Sequence, residues 1–404
     1  MTDYCENSTL RDVVGESGLL VDGDWVESKD QDPNGDVRLI QLADVGDGIY
    51  LHRSARFLTS EKAKQLRCSY LHDGDVLIAR MPDPIGRACI FEEESLLCVT
   101  VVDVCILRPN KKIADSRWLM HLINAPEFRR KLDRYVLGTT RQRISRRNLE
   151  KIEFHLPPLA EQERIAEVLD KADALRQKRR LALQKLDTLL QSVFLEMFGD
   201  LPGQTFDLLP LEECLDAIID YRGKSPTKTD AGIPLVTARV IKSGRILEPN
   251  EFIAEADFEA WMRRGLPEAG DVVFTTEAPL GEVAQLDNRK VALAQRVLVL
   301  RGKKDLIENT FLMTVMISDF VKNQIAKRAT GSTVKGIRQK ELRKILLPVP
   351  PIGLQDTYSQ VKARILMQRL RLADAVVSAE KLFSSIQTRA FKGGLFEIQR
   401  PREF

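Results

Sequence analysis

Two basic clusters carry the residue types that contact nucleic acid. The first is Arg141-Gln142-Arg143-Ile144-Ser145-Arg146-Arg147, directly after Gly138-Thr139-Thr140. The second is Lys335-Gly336-Ile337-Arg338-Gln339-Lys340, directly after Gly331-Ser332-Thr333. A glycine-led polar turn opening into a basic segment supplies backbone N–H groups, hydroxyls and cations, the donors that phosphate oxygens accept from. Arginine and glutamine also match guanine and adenine edges in the major groove. The competing reading is a solvated helix start whose cations serve solubility; presence in both places favours DNA contact. The candidate contact residues are Thr139, Thr140, Arg141, Gln142, Arg143, Arg146 and Arg147 in the first cluster, and Ser332, Thr333, Lys335, Arg338, Gln339 and Lys340 in the second. Arg222 and Lys224, in Tyr221-Arg222-Gly223-Lys224, and the lone Arg80 join them, although a surface loop and a strand-end charge explain them nearly as well. Trp25 and Trp261 could stack on bases, but a core or rim place suits them better.

Nothing in the chain supplies a catalytic centre. A GxxxxGK[ST] phosphate loop is absent: Arg222-Gly223-Lys224-Ser225 resembles its tail, but Ile218 stands where the first glycine must be. No GxGxxG follows a strand, no HExxH occurs, and no Asn/Asp-Pro-Pro-Tyr/Phe is present to hold a target base. All four histidines, His52, His72, His121 and His155, lie in the first half. The six cysteines form no CxxC pair, and read as buried reduced thiols rather than a zinc site or disulfides. The chain is expected to perform no chemistry alone and to bind no metal or cofactor of its own.

The elements that must position the clusters are duplicated. Residues 138–198 recur at 331–391, a constant offset of 193. Leu149, Lys151 and Ile152 return as Leu342, Lys344 and Ile345. Pro157-Pro158 and Gln162 return as Pro350-Pro351 and Gln355, and Phe198 returns as Phe391. Two similar units in tandem imply an internal pseudo-twofold axis, a shape suited to a two-sided partner such as duplex DNA. The 404 residues fit two domains of about 150 residues plus connections. A net charge of +3, with 44% apolar and 29% charged residues, gives no global electrostatic case for nucleic acid. No apolar run approaches the roughly 18 residues of a membrane span, and the polar start MTDYCENSTLRD lacks a signal-peptide pattern. A cytoplasmic place is expected.

Each half reads as a compact α+β domain closed by a long helix. Val37–Ala43, Gly74–Ala79 and Cys98–Leu107 are strand-like in the first half, as are Leu235-Val236, Gly270–Phe274 and Val291–Leu300 in the second. Pro84-Ile85-Gly86 and Pro279-Leu280-Gly281 occupy matching loops. Helical patterns follow over Arg117–Val136 and Asn309–Ala329. The proline pairs then end the preceding segment and open a helix. Heptad a and d positions fall on Ile165, Val168, Ala172, Leu175, Ala182, Leu186, Leu189 and Val193. In the second copy they fall on Tyr358, Val361, Ile365, Leu372, Ala375, Ala379, Leu382 and Ile386. Polar breaks are Arg179 in the slot of Leu372 and Gln368 in the slot of Leu175, which disfavour self-pairing and can fix register. Two such helices, antiparallel in one chain and roughly 50 Å long at 1.5 Å per residue, would serve as a spacer between domains. The expected boundaries are 1–156 and 201–349 for the domains, 157–200 and 350–396 for the spacer helices, and 397–404 for a tail.

Together these residues resemble the DNA-specificity subunit of Type I restriction–modification systems. The carrying segments are Gly138-Thr139-Thr140 through Ile144, Leu156-Pro157-Pro158-Leu159 with Glu161-Gln162, and the helix ending in Phe198-Gly199-Asp200. The second copy adds Gly331-Ser332-Thr333, Pro350-Pro351 with Gln355, and Arg389 through Leu395. A departure is Gly353-Leu354-Gln355 where the first copy has Ala160-Glu161-Gln162. The resemblance implies two tandem target recognition domains separated by two antiparallel coiled-coil helices. Each domain would read one part of a bipartite, asymmetric site in double-stranded DNA. The helices would dock two methyltransferase subunits, which supply S-adenosylmethionine and flip the target adenine. Motor-nuclease subunits, with ATP and Mg, are further partners it allows. A stand-alone duplicated DNA-binding protein and a protein scaffold without sequence preference remain the competing readings.

Overall fold

A computed structural model describes residues 7–92, 94–199, 206–221 and 225–392. The chain divides into two compact units, residues 1–181 with 374–404, and residues 182–373.

In the first unit an antiparallel sheet runs in the order Leu19–Asp22, Val104–Arg108, Val76–Ala79, Ala88–Ile90. The two central strands are β-branched and buried on both faces, which is why they read as unbroken apolar runs. One face packs on the helix Ser116–Ile123, where Val76, Ile78, Cys105 and Leu107 share a core with Trp118 and Leu119. The other face, with Leu77, Ala79, Val104 and Ile106, packs under Ile40 and Val45. A smaller sheet orders Phe57–Leu58, Val37–Ile40 and Leu97–Thr100, the last pair parallel.

The second unit repeats this plan. Leu215–Asp220, Val297–Gly302, Val272–Thr275 and Val283–Gln285 form the antiparallel sheet. Phe252–Ile253, Ile233–Val236 and Ala292–Leu293 form the smaller one. An ion pair pins each sheet at the same place. Arg108 grips Asp75 with Nε and Nη2, both at 2.7 Å; Arg301 grips Asp271 at 2.9 and 2.8 Å. Both carboxylates are fully buried and also accept a backbone N–H of their own turn, His72 and Glu268 respectively.

Several expected elements divide. The apolar runs Cys98–Leu107 and Val291–Leu300 each become two strands in different sheets, because the chain turns at 101–103 and 294–296. The helix expected over Arg117–Val136 is two, Ser116–Ile123 and Pro126–Asp133, since Pro126 cannot continue the first. The one expected over Asn309–Ala329 breaks at Ser318, whose hydroxyl caps a new helix through the Val321 N–H.

The long helices cover Leu159–Phe198 and Ile352–Phe391. They run antiparallel within each unit: Arg176 meets Glu380 and Arg179 meets Ala375 in the first, while Asp187 meets Arg369 and Phe198 meets Tyr358 in the second. Of the sixteen expected seam positions, Ile165, Tyr358, Ile365 and Ala379 are buried and nine more are partly buried. At the other three the inward position lies one residue later. Leu175, Leu189 and Leu382 are exposed by 43%, 42% and 53%, and Arg176, Leu190 and Phe383 take the inward positions. The pattern misled because Arg176 scores as polar, although its guanidinium stacks over the Phe383 ring, 4.3 Å from Cζ to the centroid. Among the described residues no helix is long and apolar enough to cross a membrane.

The proline pairs have a packing role that their spacing did not reveal. Gln162 is fully buried; its amide donates to the Pro157 and Ile113 carbonyls at 2.8 and 3.1 Å and accepts from the Asp115 N–H at 3.0 Å. Gln355 repeats every bond with Pro350, Leu306 and Glu308, at 2.7, 3.0 and 2.9 Å. Each glutamine ties the start of its long helix to the loop that opens the domain helix.

Candidate nucleic-acid interface

Each basic cluster begins as a hairpin loop on the same scaffold. Leu137 bridges Arg143, and Thr330 bridges Gly336. Each loop is anchored to the end of a core strand by its isoleucine: the Ile144 N–H donates to Arg80, and the Ile337 N–H to Thr276, both at 3.0 Å. Gly138 and Gly331 stand at φ 94° and 113°. A Cβ there would lie 2.5 Å from the Arg141 carbonyl oxygen and 2.0 Å from that of Val334, so only glycine closes this turn. The buried isoleucines explain why Ile144 and Ile337 interrupt otherwise basic runs.

On this shared frame the tips differ. Thr139, Thr140, Arg141 and Gln142 are exposed in the first loop, and Ser332, Thr333, Val334 and Lys335 in the second. None of these side chains has a hydrogen bond or ion pair among the described residues, so their donors point to solvent. Arg147, Arg338 and Lys340 are exposed on the short helices Arg146–Leu149 and Gln339–Leu342, or at their start. Gln339 is half-buried and engaged within the chain.

Two candidates of the first cluster, Arg143 and Arg146, are half-exposed and ion-paired within the protein. Arg146 donates to the Leu20 carbonyl at 2.9 Å and pairs with Asp22 and Glu150. Arg143 pairs with Asp103 at 3.1 Å, its side chain 41% exposed. Arg80 is buried, with Nη1 on Asp22 at 2.6 Å and Nη2 on the Val102 carbonyl at 2.7 Å. Burial pulls its pKa below the ordinary arginine value, against the pull of Asp22. It stitches the strand ends beneath the loop. Arg222 and Lys224 lie outside the described residues. Trp261 is half-buried, donates to the Leu293 carbonyl at 2.9 Å and stacks on Tyr221. Trp25 is 68% exposed, its indole N–H on Glu27; the surrounding segment 22–36 is acidic, which disfavours a phosphate backbone.

Sequence reasoning missed Arg296. It lies in the turn between Ala292–Leu293 and Val297–Gly302, within the run read as one strand. Its Nε pairs with Glu277 at 2.7 Å beside the second loop, where Glu277 bridges Gly336. The only signal available was an arginine interrupting an apolar stretch.

The pattern of two equivalent loops agrees with the family comparison. The Type I restriction modification DNA specificity domain matches residues 5–185 and 228–369. The chain belongs to that family. As a Type I specificity subunit it recognises DNA and takes part in assembly of a restriction–modification complex. It is 21% identical to the putative type I restriction enzyme MjaX specificity subunit of Methanocaldococcus jannaschii over 76% of this chain and 73% of that one. It is also 21% identical to the type I restriction enzyme EcoKI specificity subunit of Escherichia coli K12, over 72% of this chain and 68% of the other. The S subunit of the Type I system of M. genitalium shares the fold at a TM-score of 0.57 and 13% identity, with 97% of each chain covered. A chain from a structure of type I complex assembly and conformational transition gives 0.52 and 17%, covering 95% and 99%. Both the tandem architecture and the family expected from the sequence are thereby established.

Proposed function

We propose that the chain chooses the DNA site for a Type I adenine methyltransferase and itself does no chemistry. Each unit reads one part of a split, asymmetric sequence in double-stranded DNA. Two methyltransferase subunits dock on the chain, and two motor-nuclease subunits can join them. S-adenosylmethionine, ATP and Mg are held by those partners. The observation that carries this reading is the pair of loops on one frame with different tips, Arg141-Gln142 in one unit and Val334-Lys335 in the other. A common frame gives common placement on the DNA backbone, while different tips give different half-sites.

The test is a single-molecule methylation map of DNA from cells that express this chain with its methyltransferase, compared with deletion of this chain alone. The expected result is a split motif, methylated in both parts, that vanishes in the deletion. An unchanged map with an active methyltransferase would leave a stand-alone binder or scaffold. Alanine at Arg141 and Arg143 together is expected to weaken DNA binding with the methyltransferase still bound; lost assembly at unchanged DNA affinity would refute that assignment.

A further inference from the structure

At the foot of the two loops the same backbone positions carry opposite charges. Asp103 and Arg296 are equivalent: the Asp103 carbonyl accepts the Arg80 N–H, and the Arg296 carbonyl accepts the Thr276 N–H, both at 2.9 Å. Arg143 and Gly336 are equivalent, each closing its loop's bridge. In the first unit the loop provides the guanidinium, Arg143, and the turn provides its carboxylate, Asp103. In the second the turn provides the guanidinium, Arg296, and Glu277 provides the carboxylate. The loop has glycine there, and a Cβ at Gly336 would crowd Glu277 Cβ at 3.2 Å and the Thr276 carbonyl oxygen at 3.3 Å. Both units thus present one carboxylate-held, half-exposed arginine at the loop's foot, with the side chains of Arg143 and Arg296 41% and 48% exposed.

We infer that Arg296 reads guanine in the part of the DNA site recognised by the second unit, in the place that Arg143 holds in the first; this rests on the function proposed above. With Nε held by Glu277, both Nη groups of Arg296 have no partner among the described residues. Two coplanar donors match guanine O6 and N7. Glu277 keeps the guanidinium at the loop's foot before DNA arrives, and Arg296 cancels the charge that would otherwise repel phosphate. The backbone supports a role beyond stability. Arg296 stands at φ 75°, a left-handed conformation that is unfavourable for a residue with a Cβ. A half-exposed ion pair contributes little in return, so folding alone does not explain an arginine here.

The experiment uses the full complex of this chain with its methyltransferase and compares Arg296→Gly, Arg296→Lys and wild type by methylation mapping, with thermal melting of each. Glycine relieves the positive φ, so R296G is expected to melt no lower than wild type. Both variants are expected to lose at least about tenfold in preference for guanine at one position in one part of the motif, the other part staying unchanged. R296K keeps the charge but not the planar pair of donors, so it separates base reading from phosphate contact. An unaltered motif in both variants overturns the inference, as does uniform weakening on every sequence. A wild-type map without a chain-dependent split motif overturns the proposed function itself, and this inference with it.

Discussion

Arg176 of the first long helix reaches Glu380 of the second at 3.4 Å, and the relation returns 193 residues on, where Arg369 reaches Asp187 at 2.5 Å. Each helix supplies the arginine in one unit and the acid in the other, the signature of a duplicated chain. A register slip of one residue would break both pairs at once, so they help fix the pairing of the helices.

The first pair is measurable. Arg176→Ala is expected to destabilise the first unit by about 1–3 kcal/mol, mostly through lost packing on Phe383. The Arg176–Glu380 coupling in a double-mutant cycle should be about 0.5–1 kcal/mol. Urea denaturation of the single and double alanine variants checks both, and a coupling near zero would remove the pair's role in register.

Gln162→Leu and Gln355→Leu should each cost about 2–4 kcal/mol, because each leaves a buried N–H and two carbonyls without their partner. The loss should be local to the unit concerned. Hydrogen exchange of the segments around Asp115 and Glu308 would show it, and equal loosening of both units by either variant would contradict it.

Lys362 gives a pH signature. Burial pulls its pKa down to about 8, with Glu308 opposing, and its ammonium donates to the Thr314 hydroxyl at 2.7 Å. Below pH 8 the lysine is charged in both states and the burial penalty is fully present. Between about 8 and 10.5 the unfolded chain binds more protons than the folded one, so this contribution rises with pH. The equivalent position in the first unit is Leu169. Lys362→Leu should therefore stabilise by about 3 kcal/mol near pH 7, and the gain should shrink toward pH 10.5. Thermal melts of variant and wild type across that range decide it, and a gain independent of pH would refute the cause.

The loop tips should contribute charge to DNA binding without contributing to the fold. Lys335→Ala is expected to reduce the slope of log affinity against log salt by about 0.9, with the melting temperature unchanged. Gly331→Ala should reshape the second loop, since its Cβ would collide with the Val334 carbonyl. Titration of the complex on DNA at several salt concentrations reads both. An unchanged slope for Lys335→Ala would take that residue off the phosphates.

The sequence by itself determined the duplication, the α+β character of each half, the two long helices and the basic loops. These are legible because they are local: a constant offset survives only without insertions, a proline pair opens a helix wherever it falls, and a positive φ demands glycine at 138 and 331. Tertiary structure alone decided which cations remain available. Arg141 and Lys335 face solvent, whereas Arg146 and Arg80 are spent on Asp22, and nothing in a run of basic residues separates the two kinds. It also decided that Arg176 rather than Leu175 faces the partner helix, because a long stem can bury while its charge finds an acid more than 200 residues away. The matching of Arg296 with Arg143 was invisible for the same reason. Equivalence there is set by which backbone groups bond across the sheet, and the two arginines come from different segments of the chain.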